Sequence, residues 1–194
     1  MAFPSPPWHL RGHLWGSLFR AEPPGERAGV FAVAFVEYRP GGTLDYSELL
    51  VARRADEGGL ALRVRDLWVD SETSREGGRA LWDLPKEMAT FTHAPGGLGL
   101  VDRTFWSAAD GGGQPLATAE FLDTSALALR GPLRGSTRQP TLAAGTRVAT
   151  VQGSARGLPA LAHWSFDARG PLGWLAGRHP FLSFRLRDFA VTFE

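Results

Sequence analysis

The sequence has no cysteine and only one lysine, and both scarcities restrict its chemistry. Without cysteine the chain has no disulfide, no thiol nucleophile and no thiolate ligand for zinc. Lysine occurs only at Lys86, and every other Lys or Arg position is arginine. Because lysine, unlike arginine, can lose its proton and become an amine nucleophile, Lys86 is a candidate catalytic residue. A bias of composition towards arginine would explain a stray surface lysine as well.

The sequence also lacks an excess of charge and any long apolar run. Its 21 Lys and Arg against 20 Asp and Glu give a net charge of +1, so no broad basic surface is available for nucleic acid or an anionic membrane. No stretch approaches the roughly 18 uncharged apolar residues of a membrane-spanning helix. The N-terminal residues lack the pattern of a signal peptide. We therefore expect a cytoplasmic protein without nucleic-acid or membrane partners.

No metal or cofactor motif is present. The histidines are not spaced as metal ligands are, for example as His-x-x-x-His, so no metal site is expected. Gly96-Gly97-Leu98-Gly99 is not followed by a helix pattern and is interpreted as a turn rather than a dinucleotide-binding loop. The sequence thus predicts that the protein works with no cofactor.

What the chain does contain is a strand-rich pattern. Its 194 residues predict a single domain over 1–194, and its 24 glycines and 14 prolines divide it into short segments. Apolar and polar residues alternate with a period of two in many segments, which is typical of antiparallel sheets with one wet face. The predicted strands are His13–Ala21, Gly29–Tyr38, Leu44–Arg53, Leu60–Val69, Glu87–His93, Gly99–Trp106, Pro115–Leu122, Thr146–Gln152, Leu161–Phe166 and Phe181–Phe193.

Helices are few in this pattern. One is predicted from Thr73 to Leu84, with a capping box formed by Thr73 and Glu76 and an end imposed by Pro85. Gly77-Gly78 within it costs roughly 1 kcal/mol per glycine relative to alanine, which either close packing against a strand or a frayed helix would explain. A second short helix is predicted at Leu172–Ala176, and Gly131–Gly145 is interpreted as a polar loop.

The segment that contains Lys86 resembles acetoacetate-decarboxylase-like proteins. The family carries a Gly-Arg pair, a short helical spacer and then Pro-Lys, which correspond here to Gly78-Arg79 and Pro85-Lys86. Upstream, Tyr46-Ser47-Glu48 is similar to the family's Tyr-x-Glu and follows a turn like the family's at Pro40-Gly41-Gly42. The stretch from Pro7 to Gly12 suits the start of the family's first strand. The specific match covers residues 7–93.

This resemblance implies a mainly β (α+β) fold, an antiparallel β-cone or barrel-like sheet around a central pocket with one or two short helices. It also implies a small keto acid or related carbonyl compound as ligand, and assembly into homo-oligomers. In family decarboxylases the lysine of Pro-Lys forms a Schiff base with the substrate ketone, and acetoacetate decarboxylase is a standard example of such an activated lysine. The implied catalytic residues are Lys86 and Glu48, with His13, Tyr46, Arg79 and Trp82 as substrate-binding candidates.

Several positions depart from the decarboxylase pattern. Glu87 replaces a second lysine, and it would raise the pKa of Lys86 if it lay close but matter little if it pointed to the opposite face of a strand. A family glutamate falls near Val33, with Glu37 as the closest carboxylate, and His13 replaces an arginine that can hold a substrate carboxylate. Arg79 could brace the helix instead of contacting substrate.

These departures leave more than one function open. The resemblance implies a Schiff-base-forming lyase acting on a small β-keto acid or related carbonyl compound, with an aldolase, dehydratase or hydratase as close variants. The alternative is a non-catalytic small-molecule-binding protein with the same fold. A third hypothesis is an interaction domain whose exposed tryptophans bind a partner.

Overall fold

The computed structural model describes residues 3–55, 61–124, 127–141 and 145–194, and strands dominate these residues. They contain ten strands, one α-helix and a 3-10 helix at Gly173–Leu175. The strands are β1 (Trp8–Ala21), β2 (Gly29–Tyr38), β3 (Tyr46–Arg54), β4 (Leu62–Val69), β5 (Lys86–Leu98), β6 (Val101–Asp110), β7 (Pro115–Asp123), β8 (Arg130–Pro140), β9 (Thr146–Phe166) and β10 (Leu182–Phe193), and the helix is α1 (Glu72–Trp82). The predicted mainly β fold is confirmed.

The strands form one large ring-like sheet. Neighbours follow the order β10-β1-β2-β3-β4-β5-β6-β7-β9-β8, and additional pairings of β9 with β10 and of β4 with β8 close it. Almost every pairing is antiparallel, but β4 runs parallel to β5 and, over one residue pair, to β8. Parallel neighbours need a crossover connection, and α1 lies between β4 and β5 in the chain.

Alternation along the strands separates two hydrophobic cores. Successive side chains of a strand point to opposite faces of the sheet. On β1, Trp8 belongs to one core, whereas Trp15 belongs to the other. The core that contains Trp15 is built around Phe35, which stacks on Trp106 and Trp164 with ring centroids 5.2 and 5.3 Å apart. The core that contains Trp8 surrounds the candidate site.

Two predictions about the second half of the chain were wrong. The predicted loop Gly131–Gly145 is largely the strand β8, with residues 142–144 outside the described part. β8 pairs along its whole length with β9 but contacts β4 through only one residue pair. One side of β8 is therefore almost unpaired, and prolines, which lack an N–H group, are tolerated in such a strand. The predicted strands Thr146–Gln152 and Leu161–Phe166 are one continuous strand. A Cβ on Gly153 would lie 2.0 Å from the carbonyl oxygen of Ala190, so this glycine permits close approach of β10.

The helix is present where predicted, but its predicted cap was wrong. The N-cap is Ser71, whose hydroxyl accepts a hydrogen bond from the backbone N–H of Ser74 at 3.3 Å. Thr73 and Glu76 therefore lie inside the first turns of α1 instead of capping it. At Leu172–Ala176 the structure has a single 3-10 turn. No described helix is long and apolar enough to cross a membrane.

Candidate active site

Strands β2 and β3 bring three polar side chains into the core that contains Trp8. Tyr46 and Glu48 are two residues apart on β3, so they share a face of the sheet. Tyr38 lies opposite Tyr46 on β2, and the two rings stack with centroids 4.3 Å apart. The Tyr38 hydroxyl donates a hydrogen bond to Glu48 Oε1 at 3.3 Å. Glu48, only 5% exposed, is thereby held in place from the neighbouring strand.

Lys86 reaches the same region through the β4–α1–β5 crossover. The helix ends at Asp83, whose left-handed backbone (φ 52°) allows its N–H to bond to the carbonyl of Arg79. Pro85 follows two residues later and cannot continue a helix. Lys86 then opens β5 and pairs in parallel with Leu67 of β4. The turn after α1 thus sets the position of Lys86, which is the first residue of β5.

The two glycines of α1 allow the helix to pack directly on the site. A Cβ on Gly78 would lie 2.7 Å from both Cδ and Cε of Lys86. A Cβ on Gly77 would lie 2.6 Å from the ring of Trp8. Both distances are shorter than real Cβ contacts, so each position requires glycine unless its neighbour moves. Of the two explanations for this pair, close packing is the one observed.

The amine of Lys86 lies inside a compact polar cluster. Its Nζ donates to Ser74 Oγ at 2.7 Å and to Tyr46 Oη at 3.2 Å, and it lies 3.4 Å from Glu48 Oε2. The lysine is only 2% exposed. Each proton of an ammonium group at this position has an oxygen acceptor within reach.

Burial and charge have opposite effects on this lysine. Burial lowers the pKa of Lys86, because the charged ammonium loses its hydration, while the Glu48 carboxylate works against this by stabilising the ammonium. Burial is the larger effect, so the pKa of Lys86 lies below its ordinary value of 10.5. Burial and the Glu48 carboxylate raise the pKa of Tyr46 well above 10, which keeps this phenol protonated.

These groups line a cavity of about 310 Å³ whose walls are mainly apolar. A volume of this size lies at the lower end of that found for small-molecule sites. Three of its described lining residues are charged: Glu48, Lys86 and Arg134. Its apolar walls are Trp8, Leu10, Leu14, Val36, Leu50, Leu62, Val64, Leu67, Trp82, Leu84, Leu133, Val151, Leu186, Phe189, Val191 and Phe193.

The structure brings four of the six predicted site residues together. Lys86, Glu48, Tyr46 and Trp82 all line this cavity. His13 does not; it lines a separate surface cleft. There its Nδ1 accepts the backbone N–H of Asp188 at 3.0 Å, and its Nε2 lies 3.2 Å from an Nη1 of Arg39. His13 is thus engaged by β10 and the end of β2, away from the lysine.

Arg79 is likewise outside the cavity lining and contacts the backbone of the lysine. Its Nε donates to the carbonyl oxygen of Lys86 at 2.6 Å, and its Nη2 forms an ion pair with Glu87. Glu87 is exposed, whereas Lys86 beside it on β5 is buried, as the alternation of a strand requires. Arg79 therefore braces α1 against β5, and Glu87 points away from the amine.

The family's second glutamate falls near Val33, with Glu37 as the nearest carboxylate, and neither position supplies a second carboxylate to the cavity. Val33 is fully buried in the core that contains Trp15, on the opposite side of the sheet. Glu37 lies 3.8 Å from His93, and neither residue lines the cavity.

Sequence reasoning missed three lining or contacting residues. Ser74 lies one helical turn before Gly78, a spacing that places both on one face of α1. Tyr38 could have been found from its place at the end of β2, opposite Tyr46 across the turn. Arg134 could not have been found, because its segment was interpreted as a loop. Within the described ranges, no group of three or more His, Asp and Glu side chains is arranged to hold a metal ion.

Comparison with known proteins gives a family match over most of the chain. A family model described as acetoacetate decarboxylase (ADC) matches residues 22–178, a range that contains Tyr46, Glu48 and Lys86. No curated protein sequence is significantly similar to the chain.

Solved structures share the fold at low sequence identity. Acetoacetate decarboxylase from Legionella pneumophila subsp. pneumophila str. Philadelphia 1 has a TM-score of 0.66 at 14% identity, over 99% of this chain and 86% of that one. An acetoacetate decarboxylase-like enzyme from Sphingomonas wittichii RW1 has a TM-score of 0.63 at 14% identity, over 98% and 91%. The enduracididine biosynthesis enzyme MppR, complexed with the condensation product of pyruvate and imidazole 4-carboxaldehyde, has a TM-score of 0.63 at 17% identity, over 98% and 88%.

Proposed function

The chain belongs to the acetoacetate decarboxylase family, and from this premise we propose that it is a lyase whose Lys86 forms a Schiff base with a small carbonyl compound. The observation that carries the proposal is the position of Nζ, which is buried in a largely apolar cavity with a lowered pKa. An ordinary lysine is less than roughly 0.1% amine at pH 7. Burial raises the fraction of amine available to attack a carbonyl carbon.

The cluster around Nζ supplies the proton transfers that imine formation needs. The neutral amine adds to the carbonyl carbon and gives a carbinolamine. Once the oxygen of its hydroxyl group is protonated, that group leaves as water and the nitrogen lone pair forms the C=N bond of the protonated imine. Glu48, 3.4 Å from Nζ, accepts the proton that the amine releases on attack and returns one to the leaving oxygen. The Tyr46 hydroxyl at 3.2 Å hydrogen-bonds the reacting groups. Water later hydrolyses the imine and frees Lys86.

The protonated imine then serves as an electron sink. When the bond to a carboxylate or another leaving carbon breaks, its electron pair moves into the iminium and gives an enamine, which a proton on carbon converts back to an imine. Loss of carbon dioxide from a β-keto acid is one such cleavage. In an aldol addition the enamine forms instead by loss of a proton from the carbon next to the protonated imine, and it then attacks the carbonyl carbon of an aldehyde, whose oxygen takes up a proton. That MppR shares this fold and was solved with a condensation product of pyruvate and an aldehyde supports keeping aldol-type variants in the proposal.

The test is borohydride trapping. The protein is incubated with acetoacetate, pyruvate or pyruvate plus an aldehyde, reduced, digested and mapped by mass spectrometry. We expect an adduct on the peptide that contains Lys86 and none in the Lys86→Ala variant. Release of carbon dioxide or formation of a condensation product then separates decarboxylation from aldol chemistry. An unmodified Lys86 across the keto-acid panel would refute the Schiff-base proposal for those compounds.

One observation favours a second candidate, a non-catalytic small-molecule-binding protein. The ammonium form of Lys86 is stabilised by Glu48, and the residue after it is an outward-pointing glutamate instead of a second cation. A lysine held as an ammonium ion has no lone pair with which to attack a carbonyl, so in this case the mainly apolar walls of the cavity would hold the ligand. This reading predicts a ligand-induced change in the fluorescence of Trp8 and Trp82 that persists in Lys86→Ala, with no adduct formed by the wild type.

A further inference from the structure

Arg134 contributes a positive charge to the cavity, and no other described lining residue offsets it. Among the charged lining residues, Lys86 and Glu48 lie 3.4 Å apart and offset each other. Arg134 is exposed, and its side chain forms no hydrogen bond or ion pair with any part of the chain that the structure describes, although its backbone belongs to the β8–β9 ladder. An arginine at an open cavity without an internal partner offers a planar set of donors that matches a carboxylate.

Strand pairing places Arg134 and Lys86 at opposite ends of the cavity. Lys86 pairs with Leu67 of β4, whereas Thr137 of β8 pairs with Leu62 at the other end of the same strand. Five residues of strand span about 16 Å. Because β8 runs parallel to β4, Arg134 lies three residues further still from the lysine. The wall between the two charges is apolar, with Val64 and Leu133 among its residues.

From this arrangement we infer that Arg134 binds an acid group of the substrate that is separate from the reacting carbonyl. The inference rests on the proposed function and narrows its substrate class to an oxo acid with its carbonyl at the Lys86 end, its carboxylate at Arg134 and an apolar chain between them. In the inferred complex the long side chains of Lys86 and Arg134 extend towards each other and cover part of this separation. A chain of several carbons between the carbonyl and the carboxylate covers the rest, whereas acetoacetate, in which the two groups are two bonds apart, is too short. Arg134 is thus assigned as a residue that determines specificity.

The test compares binding of matched probes by tryptophan fluorescence, since Trp8 and Trp82 line the cavity. The probes are 7-oxooctanoate, its neutral counterpart 2-octanone, and acetoacetate. We expect 7-oxooctanoate to bind wild type more tightly than either of the others. Arg134→Gln should weaken binding of 7-oxooctanoate by about tenfold to hundredfold, the range for a hydrogen bond to a charged group, and leave 2-octanone unchanged. Arg134→Lys should restore part of the loss.

The matched control is Arg138→Gln, which removes the same charge from β8 at a residue outside the cavity lining and should leave all three affinities unchanged. Equal affinity of wild type and Arg134→Gln for 7-oxooctanoate would overturn the inference, as would the absence of saturable binding of 7-oxooctanoate to wild type. Fluorescence reports binding whether or not an imine forms. A failure of borohydride trapping with intact Arg134 dependence would therefore reject the Schiff base and retain the acid subsite.

Discussion

Gly78 and Lys86 are in direct contact across the junction of α1 and β5, with no room for a side chain between them. A Cβ on Gly78 would lie 2.7 Å from two carbons of the lysine and 3.4 Å from its Nζ. The backbone of the helix therefore forms one wall of the space in which the amine is held.

The first prediction concerns this contact. Gly78→Ala should displace the Lys86 side chain and lower the rate of borohydride trapping at least tenfold, because the amine would lose its place beside Ser74 and Glu48. Overpacking costs about 1–3 kcal/mol, partly offset by about 1 kcal/mol of helix propensity. Trapping kinetics and urea denaturation measure the two effects.

The control is Ala80→Gly, which destabilises α1 by about 1 kcal/mol at an exposed position without contacting the lysine. It should trap at the wild-type rate. Equal rates for Gly78→Ala and wild type would show that the contact does not position the amine.

The second prediction concerns Glu48. Glu48→Gln removes the carboxylate that raises the pKa of Lys86, so burial acts unopposed and that pKa falls further. The pH midpoint of imine trapping should therefore move down by about one pH unit or more, the range for a close opposite charge. Glu37→Gln, which removes a carboxylate outside the cavity lining, should not move it. A midpoint that is unchanged or higher in Glu48→Gln contradicts the prediction.

The third prediction is a pH dependence of stability. The pKa of Lys86 is lowered in the folded protein but ordinary, near 10.5, in the unfolded chain. Between the two values the unfolded state binds more protons, so folding becomes more favourable as pH rises towards 10.5. The double variant Lys86→Met/Glu48→Gln lacks the pair and should lack this gain. Urea denaturation from pH 7 to 9.5 measures the difference, and parallel curves would show that burial does not lower the pKa.

The fourth prediction is that the charge at position 87 does not tune the amine. Glu87 is exposed and paired with Arg79, on the opposite face of β5 from Lys86. Glu87→Lys should therefore leave the pH midpoint of trapping unchanged, although it places two lysines in sequence. Stability should fall by about 0.2–1 kcal/mol, the usual value of an exposed ion pair. A clear downward shift of the midpoint would mean that the two side chains approach each other.

The fifth prediction compares ion pairs of different burial. Arg185 pairs with Asp123 at 3.2 Å, where the exposures of the two side chains are 8% and 0%, and its guanidinium lies over the ring of Trp15. Arg185→Met should cost about 3–5 kcal/mol, because it removes the guanidinium that pairs with a buried carboxylate. Arg103→Gln, which breaks the exposed pair with Glu120, should lower stability far less, because solvent screens this pair. Denaturant midpoints of the two variants measure this, and similar losses would contradict it.

Local rules predicted the half of the fold that positions the lysine. The alternation in β2 and β3 and the turn residues between them give strands whose bounds are close to those predicted. Pro85 predicted the end of the helix, and a strand was predicted directly after it, from Glu87. The predicted strand Leu44–Arg53 contains Tyr46 and Glu48, which a strand places on one face. These features depend on neighbours in sequence, which is why the sequence alone carried them.

The features that were missed depend on contacts distant in sequence. β8 is a strand because β9 pairs with it, although its own residues are rich in glycine, proline and arginine. Gly153 and Pro159 look like breaks in β9 until β10 is placed against them. Likewise, His13 falls near the family's arginine in sequence, but the bulge between Gly12 and Leu14 and the contact with Asp188 place it in another cleft.

The long strand β9 has a mechanical consequence. Its first part pairs with β8 and β10 beside the cavity, and its last residues pair with β7 beside the core that contains Trp15. Trp164, near the end of β9, stacks on Phe35 in the core that contains Trp15. The strand that borders the cavity is therefore anchored at its far end in the second core, so a substitution that loosens that anchor is expected to affect the cavity wall as well.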